Sequence, residues 1–118
     1  MRALALVVLL ILGCKHEETA AESAQRKAME LATAKGRAIV TRCALYFQSD
    51  EQCPSLEQLR LPSRDTTDPW GTLYRIVCPE RINSPDNYGK AQDLTPFVQS
   101  AGPDAKFETS DDLTFRAD

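Results

Sequence analysis

At 118 residues, with a formal charge of −3, the chain has room for one small domain. Its basic residues are spread among acids along the sequence, so it lacks the cationic cluster that neutralises phosphates, which argues against nucleic acid as a partner. A single histidine, His16, and the lack of a phosphate-binding or dinucleotide glycine motif exclude the commonest catalytic classes.

The chain opens with Met1-Arg2, an unbroken apolar run Ala3–Leu12, and then Gly13-Cys14. A transmembrane helix needs roughly 20 apolar residues, and this run is too short. A basic residue ahead of a short apolar stretch has instead the make-up of a signal peptide. Ile11-Leu12-Gly13-Cys14 resembles the lipobox of bacterial lipoproteins. That resemblance implies removal of residues 1–13, acylation of Cys14 and attachment to a membrane by lipid chains, each buried CH₂ contributing about 0.8 kcal/mol. Without Arg2 the formal charge becomes about −4. Lys15 is not the aspartate that retains many lipoproteins at the inner membrane, which favours the outer membrane, facing the periplasm, within the cell envelope. Cysteines in an exported chain belong to an oxidising compartment. With Cys14 given to lipid, Cys43, Cys53 and Cys78 remain, which is most simply one disulfide and one buried thiol.

Residues 14–21 read as a polar tether. A long helix is expected over about 22–48, built from Ala, Glu, Lys, Arg, Met and Leu. Its apolar face is clear only in the second half, where Ala32, Gly36, Ile39, Val40, Cys43 and Phe47 recur at steps of three and four. The alanine-rich first half should project from the domain. Gly36 either weakens the helix or permits close packing against it. Cys53-Pro54 opens a short helical turn with Leu56 and Leu59 facing inward. Residues 61–68 read as loop, broken by Pro62. Asp68-Pro69-Trp70-Gly71 has the residue types a type I turn prefers. Strand character follows over Thr72–Cys78, with Tyr74 and Ile76 on the face opposite Leu73, Arg75 and Val77. After a loop from Glu80 to Asp93 come two short strands, Phe97–Ser100 and Leu113–Arg116. The sum is α+β: one long N-terminal α-helix packed on a small antiparallel β-sheet, a meander over about 68–118.

The order of these pieces is itself informative. A long helix, a Pro54 turn with a leucine pair, Asp68-Pro69-Trp70-Gly71-Thr72-Leu73-Tyr74, Ser100-Ala101-Gly102-Pro103-Asp104 and a closing Asp111-Asp112 follow one another. This succession resembles the globular head of the major pseudopilin of type II secretion systems, protein G, over roughly residues 39–115. The resemblance implies a pseudopilin-like domain over 22–118 and one structural Ca²⁺. Its side-chain ligands would be Asp104, Asp111 and Asp112, completed by backbone carbonyls near Ala101 and Phe115. The chemistry agrees, because carboxylates crowded on one loop repel each other until a hard cation turns repulsion into a clamp. The pseudopilin arrangement also brings Cys53 near Cys78, which implies that pair and leaves Cys43 as a buried thiol; Cys43–Cys53 is the alternative. A zinc site is not expected, since no Cys-x-x-Cys pair and no domain histidine is present. Trp70 and Tyr74 are expected in the core rather than on a ligand.

The departures matter equally. Pseudopilins carry a short leader cut before an aromatic residue, then a long apolar helix with a glutamate that packs in a filament. This chain carries neither, so the head sits on a lipid anchor and polymerisation by that route is not expected. A Cys/His or Ser/His/Asp site needs a base inside the fold, and adjacent Asp111 and Asp112 do not flank a substrate as a glycosidase pair does. The expected protein is therefore no enzyme and has no evident small-molecule substrate. It is a lipid-anchored structural or accessory component of a type II secretion-like system, touching the membrane through Cys14, with type II secretion or pseudopilus components as the candidate partners. The alternative is a free-standing cell-envelope module that reuses the head for binding and has no part in secretion.

Overall fold

The computed structural model describes residues 17–117. The expected signal segment 1–13 and the lipidation residue Cys14 lie outside the described residues. Helix α1 spans Ala20–Asp50. It begins two residues ahead of the expected boundary because Thr19 caps it: the Thr19 hydroxyl accepts from the Glu22 N–H at 3.1 Å, and Thr19-x-x-Glu22 has the capping-box residues. It ends where Glu51 turns left-handed, at φ 55°, and returns its N–H to the Phe47 carbonyl. The buried residues of α1 are Ala32, Gly36, Ile39, Val40 and Cys43, so the part before Ala32 contributes none to the core. There the surface is held by Arg26, which pairs with Glu18 and with Glu30 one turn on. No helix of the described residues is long and apolar enough to cross a membrane.

A 3₁₀ turn over Glu57–Leu59 buries Leu59 and brings Leu56 against the core, as expected. The stretch expected to be loop contains a one-turn helix, α2, Ser63–Thr66. Its backbone is held by side chains that sequence patterns do not reveal. The Thr66 and Thr67 hydroxyls donate to the Ser63 carbonyl at 3.0 and 3.2 Å. The Lys35 ammonium, reaching across from α1, donates to the carbonyls of Arg64 (2.7 Å) and Thr67 (3.2 Å).

The sheet is three-stranded and antiparallel, in the order β1 (Arg75–Val77), β2 (Phe97–Ser100), β3 (Leu113–Phe115). Arg75 faces Gln99 across the first pair, and Gln99 faces Thr114 across the second. The first strand is shorter than expected. The backbone ahead of it is drawn into the preceding turn, with Asp68 N–H on the Thr72 carbonyl and Tyr74 N–H on that of Thr66. The alternation holds nonetheless: Tyr74 is buried, Ile76 packs on the core, and Leu73 is exposed.

Ile39, Val40 and Cys43 of α1 meet Leu59, Tyr74, Val98 and Phe115 to form the core. Gly36 is where the helix comes closest to the sheet, because a Cβ there would overlap the Phe115 ring. Its function in the helix is thus packing, which decides between the two readings of that glycine. Tyr74 and Phe115 rings lie 6.4 Å apart and tilted by 60°. The Tyr74 hydroxyl donates to the Ala32 carbonyl at 2.7 Å, tying sheet to helix with a buried hydrogen bond. Trp70, expected beside Tyr74 in the core, is only half-buried; it sits on the turn ahead of the strand rather than on its inner face. Cys53 and Cys78 form a disulfide with Cα atoms 6.0 Å apart, and Cys43 is a buried free thiol.

Candidate cation-binding loop

The two motifs that carry the pseudopilin resemblance meet in one buried polar cluster. Asp68 is 3% exposed and Ser100 fully buried. The Asp68–Gly71 turn closes with the Gly71 N–H on the Asp68 carbonyl at 3.0 Å, and Gly71 adopts φ 90°, a conformation only glycine takes without strain. One carboxylate oxygen of Asp68 accepts the N–H groups of Trp70 (3.0 Å) and Thr72 (2.8 Å). The other accepts the Ser100 hydroxyl at 2.8 Å. Ser100 in turn accepts the N–H of Gly102 at 3.1 Å. A buried carboxylate with both oxygens occupied is stable without a cationic partner, because each hydrogen bond to the charged form replaces a lost water. Burial, and then the Asp68 charge, push the Tyr74 phenol well above its ordinary pKa.

From that cluster the chain enters the acidic loop. Gly102 has φ 77°, and any Cβ there would collide with the Asp111 carbonyl, so the two ends of the loop touch at this glycine. Ala105 and Glu108 also take positive φ, at 56° and 65°. Side chains support these turns: the Lys106 N–H donates to Asp104 at 3.0 Å, the Thr109 hydroxyl to the Lys106 carbonyl at 3.2 Å, and the Glu108 N–H to Asp112 at 2.7 Å. Arg75 lies over the Phe107 ring at 4.3 Å, strapping the loop to β1 by a cation–π contact.

The three aspartates are not equivalent. Asp104 is exposed, and the Thr109 hydroxyl followed by the Lys106 N–H holds its carboxyl below the usual carboxylate range. Its charge is thus spent on its own turn. Asp111 is half-buried and gives its backbone to the contact with Gly102. Asp112 spends one oxygen on Glu108, while its other oxygen is buried with no hydrogen-bond partner. Ala101 is fully buried at the start of the loop and Phe115 is buried against Gly36. Among the described residues no three His, Cys, Asp or Glu side chains converge as a metal-holding group. The loop therefore offers a cation one orphaned anionic oxygen, at Asp112, beside carbonyl-rich turns, rather than a cage of three carboxylates. An unpaired buried carboxylate oxygen is costly. That oxygen is the one feature of the loop whose cost a hard divalent ion would relieve.

In the sequence Asp68 reads as a turn residue within the resemblance motif, with no ligand or partner assigned to it, and its bond to Ser100 has no local signature. No protein-family model, no curated protein and no solved structure matches the chain. The likeness to the pseudopilin head rests on the two motifs themselves.

Proposed function

We propose that this chain is a non-catalytic, lipid-anchored pseudopilin-like protein that serves as a structural or accessory component of a type II secretion-like assembly, with a head stiffened by Ca²⁺. The observation that supports the reading is the buried Asp68–Ser100 hydrogen bond. It makes one structural unit of Asp68-Pro69-Trp70-Gly71 and Ser100-Ala101-Gly102-Pro103-Asp104, the two segments on which the resemblance depends. Cys14 carries the lipid in this reading, and the head stands off the outer membrane, toward the periplasm, on the N-terminal part of α1.

When bound, Ca²⁺ supplies positive charge that fastens the acidic loop to the start of β3. Asp112 is its principal side-chain ligand, with Asp111 and Asp104 as the further carboxylates and the carbonyls near Ala101 and Phe115 completing the shell. Saturating Ca²⁺ at about 100 times its Kd should raise stability by about 2.7 kcal/mol. A thermal melt in Ca²⁺ against one in chelator reads this directly. Asp112→Asn should remove the gain, while Asp104→Asn should keep much of it because that carboxylate is already engaged by its own turn. Identical melts with and without the ion would eliminate the metal from the reading.

The assembly itself is tested in cells. Deleting the gene should depress export of secreted enzymes, and the wild-type chain should restore it. Cys14→Ser should fail to restore it and should no longer incorporate labelled palmitate. Undiminished export in the deletion strain refutes the secretion assignment.

A further inference from the structure

The segment between β1 and β2 is a built loop rather than a slack connection. It leaves the sheet just after Cys78, which the disulfide fixes to Cys53. The Gln92 side chain then closes it: its carbonyl oxygen accepts the Ile82 N–H at 2.8 Å and its amide donates to the Ile82 carbonyl at 3.0 Å. Inside this clip, successive turn bonds join Asn87 to Ser84, Tyr88 to Pro85 and Lys90 to Asn87. Such a closed surface loop is commonly a recognition element.

The loop borders an open depression of about 1080 Å³ lined by Arg81–Pro85 and Asn87–Gln92. Its volume is at the upper end for ligand sites. Tyr88 borders it and is 91% exposed, the most exposed large apolar side chain of the described residues, and Ile82 is 62% exposed. Both cations of the loop, Arg81 and Lys90, line the space, whereas Asp86 does not. Glu80 and Asp93 flank the loop outside that lining, so the positive charge is confined to the lining itself. The remaining polar lining is the Ser84 hydroxyl and the Asn83 and Asn87 carboxamides, beside Pro85, Gly89 and Ala91; the Gln92 carboxamide is already engaged by Ile82. An aromatic ring beside amide and hydroxyl groups suits the flat C–H face and hydroxyl rim of a pyranose. The two cations, which have no ion pair among the described residues, add a requirement for negative charge.

The geometry points to a binding site for an anionic saccharide, a sugar chain carrying carboxylates, held between Tyr88 and the Arg81–Lys90 pair. An extended peptide is disfavoured, because the depression is lined by a single loop and presents no free strand edge to pair with. The loop is already folded by its own hydrogen bonds, so binding orders little and modest contacts suffice.

The test uses the full chain carrying Cys14→Ser, exported and isotopically labelled. Tri-galacturonate is titrated while amide shifts are followed by nuclear magnetic resonance, with galactotriose, tri-glutamate and inorganic phosphate as separate arms. Tri-galacturonate should shift residues 81–92 saturably, and the other three should not. Tyr88→Ala and Lys90→Ala should each weaken binding about tenfold, the equivalent of about 1.4 kcal/mol, with unchanged melting temperature because both side chains lie outside the core. No shifts with tri-galacturonate overturns the proposal. Equal shifts with galactotriose overturn the charge requirement, and equal shifts with phosphate or tri-glutamate overturn the saccharide assignment. Shifts that survive both substitutions place the site elsewhere and also overturn it.

Discussion

Replacing Asp68 with alanine should cost about 3–5 kcal/mol, because hydrogen bonds to a charged acceptor are lost and their donors are left unsatisfied. Three donors lose their acceptor at once: the N–H groups of Trp70 and Thr72 and the Ser100 hydroxyl. Each buried orphan costs about 1–3 kcal/mol on its own. The total is a large share of the roughly 5–15 kcal/mol that holds a domain of this size folded. Since about 1 kcal/mol moves the midpoint of a small domain by 4–8 °C, the melting temperature should fall by about 12–40 °C. Urea unfolding at constant m-value gives the same quantity independently.

The neighbouring substitutions should fall in a definite order. Asp68→Asn keeps an oxygen for the two turn N–H groups but offers an amide to Ser100, so it should cost about 1–2 kcal/mol. Ser100→Ala strips the acceptor from the Gly102 N–H and leaves the Asp68 oxygen unpaired, and should cost about 1–3 kcal/mol. Asp68→Ala with Ser100→Ala should cost less than the sum, with a coupling of about 0.5–3 kcal/mol. Strict additivity would show that the bond does not join the two segments energetically. A cost below about 1 kcal/mol for Asp68→Ala would show that the cluster does not hold the fold.

Local patterns and long-range bonds separate cleanly in this chain. The long helix, the strand Phe97–Ser100 and most of the late apolar face stand close to where the sequence places them, the helix running two residues further at each end and Phe47 falling outside the buried set. Residues three and four apart on a helix share a face whatever they pack against. The tight approach at Gly36 was legible as one of two readings. Its partner, Phe115, lies at the far end of the chain and only the folded sheet brings it there. Helix α2 was illegible for the same reason. Ser63-Arg64-Asp65-Thr66 has no apolar period, and it is the ammonium of Lys35, nearly thirty positions upstream, that satisfies its last carbonyls. In the acidic loop, the three aspartates look alike in sequence. What distinguishes them is backbone conformation, since the left-handed residues Ala105 and Glu108 set which side chain turns back on its own loop and which is left with a buried oxygen. Non-glycine residues in that region are not foreseeable from composition. The loop from Glu80 to Asp93 was legible only as irregular, and its order depends on a side chain, Gln92, bonding a backbone ten residues away.

Removing the disulfide should cost about 3 kcal/mol, second only to the loss of Asp68. Cys53 and Cys78 are separated by 25 residues, and the bond ties the segment between α1 and the 3₁₀ turn to the end of β1. In the unfolded chain that link forbids most of the conformations a free segment would explore, and the stabilisation follows from closing a loop of this size. Cys53→Ser with Cys78→Ser should therefore lower the melting temperature by about 12–24 °C. Cys43 sets the control. Burial pushes its thiol up to about 11, so at pH 8 it is both protonated and shielded. In the Cys14→Ser chain, alkylation of the native protein should add no label, and alkylation after unfolding without reductant should add one. Reduction before unfolding should raise the count to three, two of them at Cys53 and Cys78. Label appearing on Cys53 or Cys78 without reductant would contradict the pairing. A melting temperature unmoved by the double serine substitution would show that the bond constrains nothing the core does not already hold.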